Sequence, residues 1–452
     1  MTRTGAAHRL TPLLEHVLGG PLPLRLRAWD GSETGPTTCL QQSCLQGCSP
    51  APTVVLRSRR ALRRLVWQPG ELGLAEAYIA GEMDVEGDLT DGLRTVWRAA
   101  CGGGLTQSRV GLTCRVRAAG ALLRLGAVGP RPPAPDSAAR LKGSIRSKSR
   151  DRATLSHDYD FGDEFYELLL DESMAYSCGY WRRPEDDPEY GLADAQHDKL
   201  ALICEKLALR PGHRLLDVSC GWGSLALHAA HHHKAQVTAV TLVREQADSV
   251  RARVEECGLG HLVDVQLRDY RDIDPGAYDA VSAIEMSEHV GATEYPAFAA
   301  SLRRMLTPGG RLLVQQMSRG TKAPVSDAFI ETYAAPDMHL RPLGDTVNLL
   351  ESAGLEVRGV ESLREDYVRT LRAWHCTLEE HHSEVVAMIG EEEARVLRLY
   401  LAGRALAFEE RRMGVHQVLA VRPGDCLGAR YAVRMASTVS HGASSGYARW
   451  CT

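Results

Sequence analysis

The stretch Leu215-Leu216-Asp217-Val218-Ser219-Cys220-Gly221-Trp222-Gly223 constrains this chain most, because an apolar run meets a glycine turn and a helix-forming segment follows at once. A short apolar run bounded by glycine reads as a buried strand. Glycine at the turn admits positive φ and lacks the Cβ that would hold a ligand away from the backbone. A Gly-x-Gly by itself also serves only to turn a chain, so the residues downstream decide. Strand-like runs at 236–242, 263–269, 278–285, 311–317 and 415–421 alternate with helical patterns, among them 244–259 and 294–306. Strands separated by helices imply a parallel α/β architecture, with a ligand over the carboxyl ends of the strands.

Three of those strand ends are polar or glycine-rich: Asp217 with its glycines, Thr241 through Gln246, and Asp269-Tyr270. A dinucleotide fold prefers an acidic residue at the second strand end to hold ribose hydroxyls. Thr241 and Leu242 stand there instead, with Glu245 and Gln246 just inside the next helix as substitutes. The pattern disfavours NAD and leaves S-adenosylmethionine as the better cofactor.

The strings Tyr176-Ser177-Cys178-Gly179-Tyr180, Cys220-Gly221-Trp222-Gly223, Val240-Thr241-Leu242, Asp269-Tyr270-Arg271-Asp272 and Glu288-His289-Val290-Gly291 resemble the cyclopropane-fatty-acyl-phospholipid synthases and mycolic acid cyclopropane synthases in order and spacing. Asp366-Tyr367 with Thr370, Leu371 and Trp374, then Arg411-Arg412-Met413-Gly414 with Gln417, continue the match. The resemblance is strong over about 150–423 and looser over Leu72 to Leu89. It implies an α/β class I S-adenosylmethionine-dependent methyltransferase, Rossmann-like with a mostly parallel seven-stranded sheet, and a small N-terminal α+β accessory domain. The expected division is an accessory domain at 1–100, a basic linker at 101–152, the methyltransferase domain at 153–423 and a disordered tail at 424–452.

In the resembling enzymes a cis alkene of a lipid acyl chain attacks the sulfonium methyl, and the resulting carbocation loses a proton to close a cyclopropane. The base there is a bound bicarbonate, held by a glutamate, a histidine, a tyrosine and two backbone amides. Position by position this implies Glu288, Tyr367 and the amides of Cys178 and Met317, with Gln315 where the histidine stands. An amide can donate to an anion but does not titrate as imidazole does. For the cofactor the resemblance implies Tyr176, Ser177, Asp217, Ser219 and Gly221, together with Gly223, Thr241, Gln246, Asp269 and Tyr270. Aromatic faces stabilise sulfonium and carbocation alike, so Tyr176, Tyr180, Trp222, Tyr270 and Tyr367 are candidate walls.

Several residues depart from the family pattern. Ser219 replaces the first glycine of the turn, Ser287 a bulky aromatic, and Asp158 and Asp163 a histidine and an asparagine, while Arg404 lies where a cysteine is sometimes named as nucleophile. These departures bear on product. A displaced base lets the cation undergo a hydride shift and end as a methylene branch, the alternative to the leading cyclopropane reading. A non-catalytic lipid- or cofactor-binding protein, and methylation of a soluble acceptor at nitrogen or oxygen, are the other readings.

The formal net charge is −4, yet no acidic residue occurs from Gly92 to Pro135, a tract holding Arg94, Arg98, Arg109, Arg115, Arg117, Arg124 and Arg131. Localised positive charge on an acidic chain suits an anionic membrane surface. Nucleic acid fits poorly, since the tract lacks interleaved aromatics. No apolar run approaches the roughly 18 residues of a membrane span, and the N-terminus lacks a secretory pattern. The expectation is a cytoplasmic protein peripheral to the inner face of the membrane, acting on unsaturated phospholipid, with homodimerisation open. Cys39, Cys44 and Cys48 lack a second ligand pair, and His231-His232-His233 fall at an expected helix end, so no metal is expected.

Overall fold

The computed structural model describes residues 5–18, 20–36, 52–102, 125–127, 129–138, 150, 161–275, 278–320 and 328–424. They form two compact units, one drawn from 1–140, 324–336 and 375–407, the other from 141–323, 337–374 and 408–452. This differs from the contiguous division expected from the sequence, because two later segments belong with the N-terminal unit. The reason is apolar: Phe329, Tyr333 and Val396 are buried with Ala75 and Ile79 in one cluster. Cys39, Cys44 and Cys48, Asp158, most of the basic tract and the tail beyond 424 lie outside the described residues.

The first unit carries a small sheet of β1 (Arg25–Arg27), β2 (Glu33–Thr34), β3 (Thr53–Leu56) and β4 (Met83–Glu86), in the order β2-β1-β3-β4. Leu26, Leu56 and Leu62 are buried in its core. Arg64 is buried there too, donating to Glu76 at 3.2 Å, Glu82 at 2.9 Å and the Pro133 carbonyl at 2.8 Å. Buried charge persists only where it is paired and hydrogen-bonded in this way.

The second unit holds β5 (Arg214–Val218), β6 (Gln236–Thr241), β7 (Val263–Leu267), β8 (Tyr278–Ile284), β9 (Leu306–Arg319), β10 (Glu356–Ser362) and β11 (Met413–Val421). They form one seven-stranded sheet in the order β10-β11-β9-β8-β5-β6-β7. β5 to β9 pair parallel, while β11 pairs antiparallel with both β9 and β10. Leu215, Leu216 and Val218 of β5 are all buried, as a strand covered on both faces requires. The chain moves outward from β5 through β6 and β7, then returns to β8 on the other side of β5. That reversal opens a crevice beyond the carboxyl ends of β5 and β8, where ligands of such sheets bind. Among the described residues no helix is long and apolar enough to cross a membrane.

Candidate active site

β5 ends in the glycine turn, and Ser219, Gly221 and Gly223 all have positive φ, at 65°, 55° and 81°. Ser219 thus adopts the left-handed conformation that glycine takes without cost. A Cβ on Gly223 would come within 2.7 Å of a Val250 methyl, whereas one on Gly221 would meet nothing within 4 Å. Gly223 therefore serves close packing and Gly221 leaves open space at the crevice. Asp217 is buried and accepts from the Ser282 hydroxyl at 2.8 Å. Burial pushes its carboxyl up to about 6, opposed by Ser282 and Lys199.

Tyr176, Lys199, Ser219, Gly221, Trp222 and Glu285 line one cavity at this crevice, together with Asp217, Ser177 and Gln246. Lys199 has no place in the sequence reading. It is fully buried, donates to Ser177 Oγ at 2.9 Å, and has its pKa lowered by burial against the opposing pull of Glu285 and Asp171. A cation at that point suits a carboxylate-bearing ligand. Gln196 steadies the segment by donating to the Ala175 and Ser177 carbonyls at 3.1 and 2.8 Å.

Ser219 also borders a second cleft, lined by Thr241, Leu242, Tyr270, Arg271, Met286 and Gly291. Of the two candidates inside the helix Arg244–Glu256, Gln246 is buried and accepts from the Thr241 hydroxyl at 2.8 Å, whereas Glu245 is exposed. Asp269 accepts from the Arg271 backbone N–H at 2.9 Å and pairs with its guanidinium at 2.6 Å.

Two carboxylates follow β8, and they take different partners. Glu285 Oε1 accepts from the Cys178 N–H at 2.8 Å and from Gln315 Nε2 at 2.8 Å, and its Oε2 accepts from the Tyr367 hydroxyl at 2.7 Å. Its own φ is +48°. Glu288, three residues on, accepts from the Met317 N–H at 2.5 Å and is buried. The set expected around Glu288 is thus divided: Cys178, Gln315 and Tyr367 donate to Glu285, and the Met317 N–H donates to Glu288. Glu285 is the residue that sequence reasoning missed. Its one signal is a charge placed directly at the end of an apolar strand.

The polarity of this cluster is locked from behind. Gln315 and Gln417 are cross-strand partners in the β9–β11 register, and Gln417 Nε2 donates to Gln315 Oε1 at 2.9 Å. Lys206 donates to Gln417 Oε1 at 2.6 Å and also pairs with Glu361. An ammonium has no acceptor, so Gln417 must turn its oxygen to Lys206 and its NH2 to Gln315, which must then turn its own NH2 to Glu285. On the other side, Thr370 accepts from the Gly179 N–H at 3.1 Å and Asp366 from the Trp181 N–H at 2.7 Å, tying the Cys178 segment to the helix that carries Tyr367.

Tyr176 and Trp222 line the cavity of Glu285, and further rings pack behind them. Tyr176 lies 5.1 Å from Trp374 and 5.8 Å from Tyr166, Tyr166 lies 4.3 Å from Trp222, and Tyr367 lies 4.8 Å from Phe408. Tyr270 borders the second cleft with its edge on Phe298. Tyr180 departs from the expectation: it lies beneath the Arg182 guanidinium and lines neither cavity. Ser287 is buried and donates to Gln316 at 2.6 Å, and Asp163 accepts from the Trp222 indole at 3.4 Å. Arg404 stacks over Tyr400. The histidine run closes the helix Ser224–His233, and its His232 comes together with His197 and His228. Burial and neighbouring imidazoles push His228 down to about 2 and His232 to about 4.

The model for mycolic acid cyclopropane synthetase matches residues 146–418. The chain belongs to that family. It is an S-adenosylmethionine-dependent methyltransferase of lipids, and the reading of a non-catalytic binding protein falls with this assignment. It is 36% identical over 89% of its length to a probable fatty acid methyltransferase of Mycobacterium tuberculosis, covering 92% of that protein. It is 30% identical over 89% of its length to the tuberculostearic acid methyltransferase of the same organism, covering 88% of it. Among solved structures, a mycolic acid cyclopropane synthase complexed with SAH and CTAB superposes with a TM-score of 0.56 at 29% identity, over 60% of this chain and 98% of that one.

Proposed function

We propose that this enzyme methylates a carbon of the cis double bond in a phospholipid acyl chain and releases a methylene-branched product. S-adenosylmethionine supplies the electrophilic methyl when bound. The residues fit such a group: Gly221 leaves the crevice open, Lys199 offers a cation to an amino-acid carboxylate in the cavity that Gln246 also lines, and Thr241 and Tyr270 line the neighbouring cleft that Ser219 borders as well. An alkene is a weak nucleophile, so the protein must position it and exclude water from the cation that forms. The rings of Tyr176, Trp222, Trp374 and Tyr367 supply apolar, cation-stabilising surface for that purpose.

The observation that carries the reading is the Glu285 carboxylate, which lines the same cavity as Ser219, Gly221 and Trp222. A proton acceptor is thereby built in beside the cofactor turn. Similarity to fatty acid methyltransferases over most of the chain, including one named for tuberculostearic acid, a methyl-branched acid, favours branching over ring closure. Cyclopropane formation is the second reading, favoured by the family itself. A basic approach surface for anionic phospholipid is part of the proposal, although Arg94 and Arg150 of the basic stretch already pair with Asp91 and Asp337.

The test is incubation of the full chain with methyl-13C cofactor and vesicles of oleoyl phosphatidylglycerol, followed by NMR of the released acyl chains. Label in exocyclic methylene carbons supports branching, and label in ring carbons supports cyclopropane. Label only in soluble amines or alcohols would overturn carbon methylation.

A further inference from the structure

We infer that Glu285 is the enzyme's own proton acceptor and stands where relatives of this chain would hold a bicarbonate ion. The inference rests on the methyl-transfer reading above and names the base within it. Bicarbonate does not fit the residues present. The donors it would need are the N–H groups of Cys178 and Met317, the Tyr367 hydroxyl and the side chain at 315. Cys178, Gln315 and Tyr367 already donate to Glu285, and the Met317 N–H already donates to Glu288. Two protein carboxylates thus occupy the whole donor set.

The geometry of Glu285 suits a base rather than a strut. An ionised carboxylate offers about four lone-pair positions, and three are taken, which leaves one for a proton. The donors fix the group on three sides: a backbone N–H in a segment tied to a neighbouring helix, a phenol on that helix, and an amide whose polarity Lys206 dictates through Gln417. The residue also sits at φ +48°, a conformation that side-chain-bearing residues adopt at a cost and that gathers at functional sites.

The step balances as follows. The alkene π pair forms a bond to the methyl carbon, the carbon–sulfur bond breaks, and its electron pair stays on sulfur. The cation left on the neighbouring carbon receives a hydride from the methylated carbon, which places the charge at the branch point. A proton then leaves the new methyl for the free lone pair of Glu285, and its C–H pair becomes the exocyclic double bond. Glu285 is left as a carboxylic acid and returns the proton to water. Without the hydride shift, loss of the same proton closes a ring instead.

Glu285→Gly tests this directly, because glycine accepts the positive φ and leaves a space faced by the same three donors. Calorimetry on the cofactor-free protein should show formate and bicarbonate binding to Glu285→Gly and no binding to the wild type. In bicarbonate-free buffer the wild type should keep its rate of lipid methylation within about twofold, while Glu285→Gly falls at least about tenfold and recovers when either anion is added. Glu285→Gln, which fills the space with an amide, should lose activity without recovery. The inference is overturned if the wild type loses methylation on removal of bicarbonate, or if Glu285→Gly neither binds formate nor is rescued by it. Formate binding is read without lipid or methyl transfer, so it decides the anion site even if the lipid substrate proves wrong.

Discussion

Replacing Gln417 by glutamate changes one buried amide to a carboxylate of the same shape, and the structure predicts a large effect at a distance. The introduced carboxylate would still accept from Lys206, whose ammonium stands 2.6 Å from the present Oε1. It would have no donor for Gln315. Gln315 would therefore turn its NH2 toward position 417 and its carbonyl oxygen toward Glu285, which now receives that NH2 at 2.8 Å. One hydrogen bond to a charged group is lost, about 1.5–3 kcal/mol, and an oxygen is left facing a carboxylate. The repelled carboxylate is displaced from its three-donor setting, and if the same energy is lost in positioning it for proton removal, formation of the methylated lipid drops by roughly 10- to 150-fold. The assay is lipid methylation at saturating cofactor, with urea denaturation alongside to separate folding from function. Gln417→Met removes the donor without imposing a reversal, so it should cost less activity than Gln417→Glu. Equal rates for Gln417→Glu and wild type would refute the claim that amide polarity, transmitted from Lys206, sets the environment of Glu285.

Ser219→Gly should stabilise the cofactor-free protein by up to about 1 kcal/mol, since relief of the left-handed serine outweighs the added freedom of unfolded glycine; a clear fall in melting temperature would contradict this. Arg64→Met leaves Glu76 buried without its guanidinium and should cost about 3–5 kcal/mol, measured by denaturant unfolding of the N-terminal unit's signal. Asp217 has a folded pKa raised from 3.8 to about 6 by burial, so its protonated form favours the fold. Stability should therefore fall as pH rises through that window, by roughly 3 kcal/mol, and Asp217→Asn should flatten the slope. Parallel pH profiles for the two proteins would show that Asp217 is not the group responsible.

Much of the fold was legible because its signals are local. The apolar run 215–218 before glycines, the alternation of strands and helices after it, and the order of short motifs each depend on near neighbours, and β5, β6 and β8 appear within about a residue of expectation. β9 is longer than its apolar run suggests, since pairing with β8 already starts at Leu306 and pairing with β11 continues to Arg319, extending the strand at both ends of its hydrophobic centre. The two late segments that join the N-terminal unit are not legible, because their residues Phe329, Tyr333 and Val396 lie 250 or more residues from their partners Ala75 and Ile79 in the chain.

The same division runs through the site. The order of residue types alone leads to the expectation of a glycine-turn crevice and, through the family resemblance, of a carboxylate near Cys178, Gln315 and Tyr367, and the structure does bring a carboxylate to those three. Which of the two carboxylates meets those donors depends on packing. Glu285 and Glu288 are three residues apart on a turn after β8, and no periodicity separates them. The left-handed backbone at Glu285 sends its side chain to donors from a loop, a strand and a helix, while the short 3-10 turn Ser287–His289 carries Glu288 to the Met317 amide. Those directions arise from how distant segments pack, and a linear pattern does not contain them.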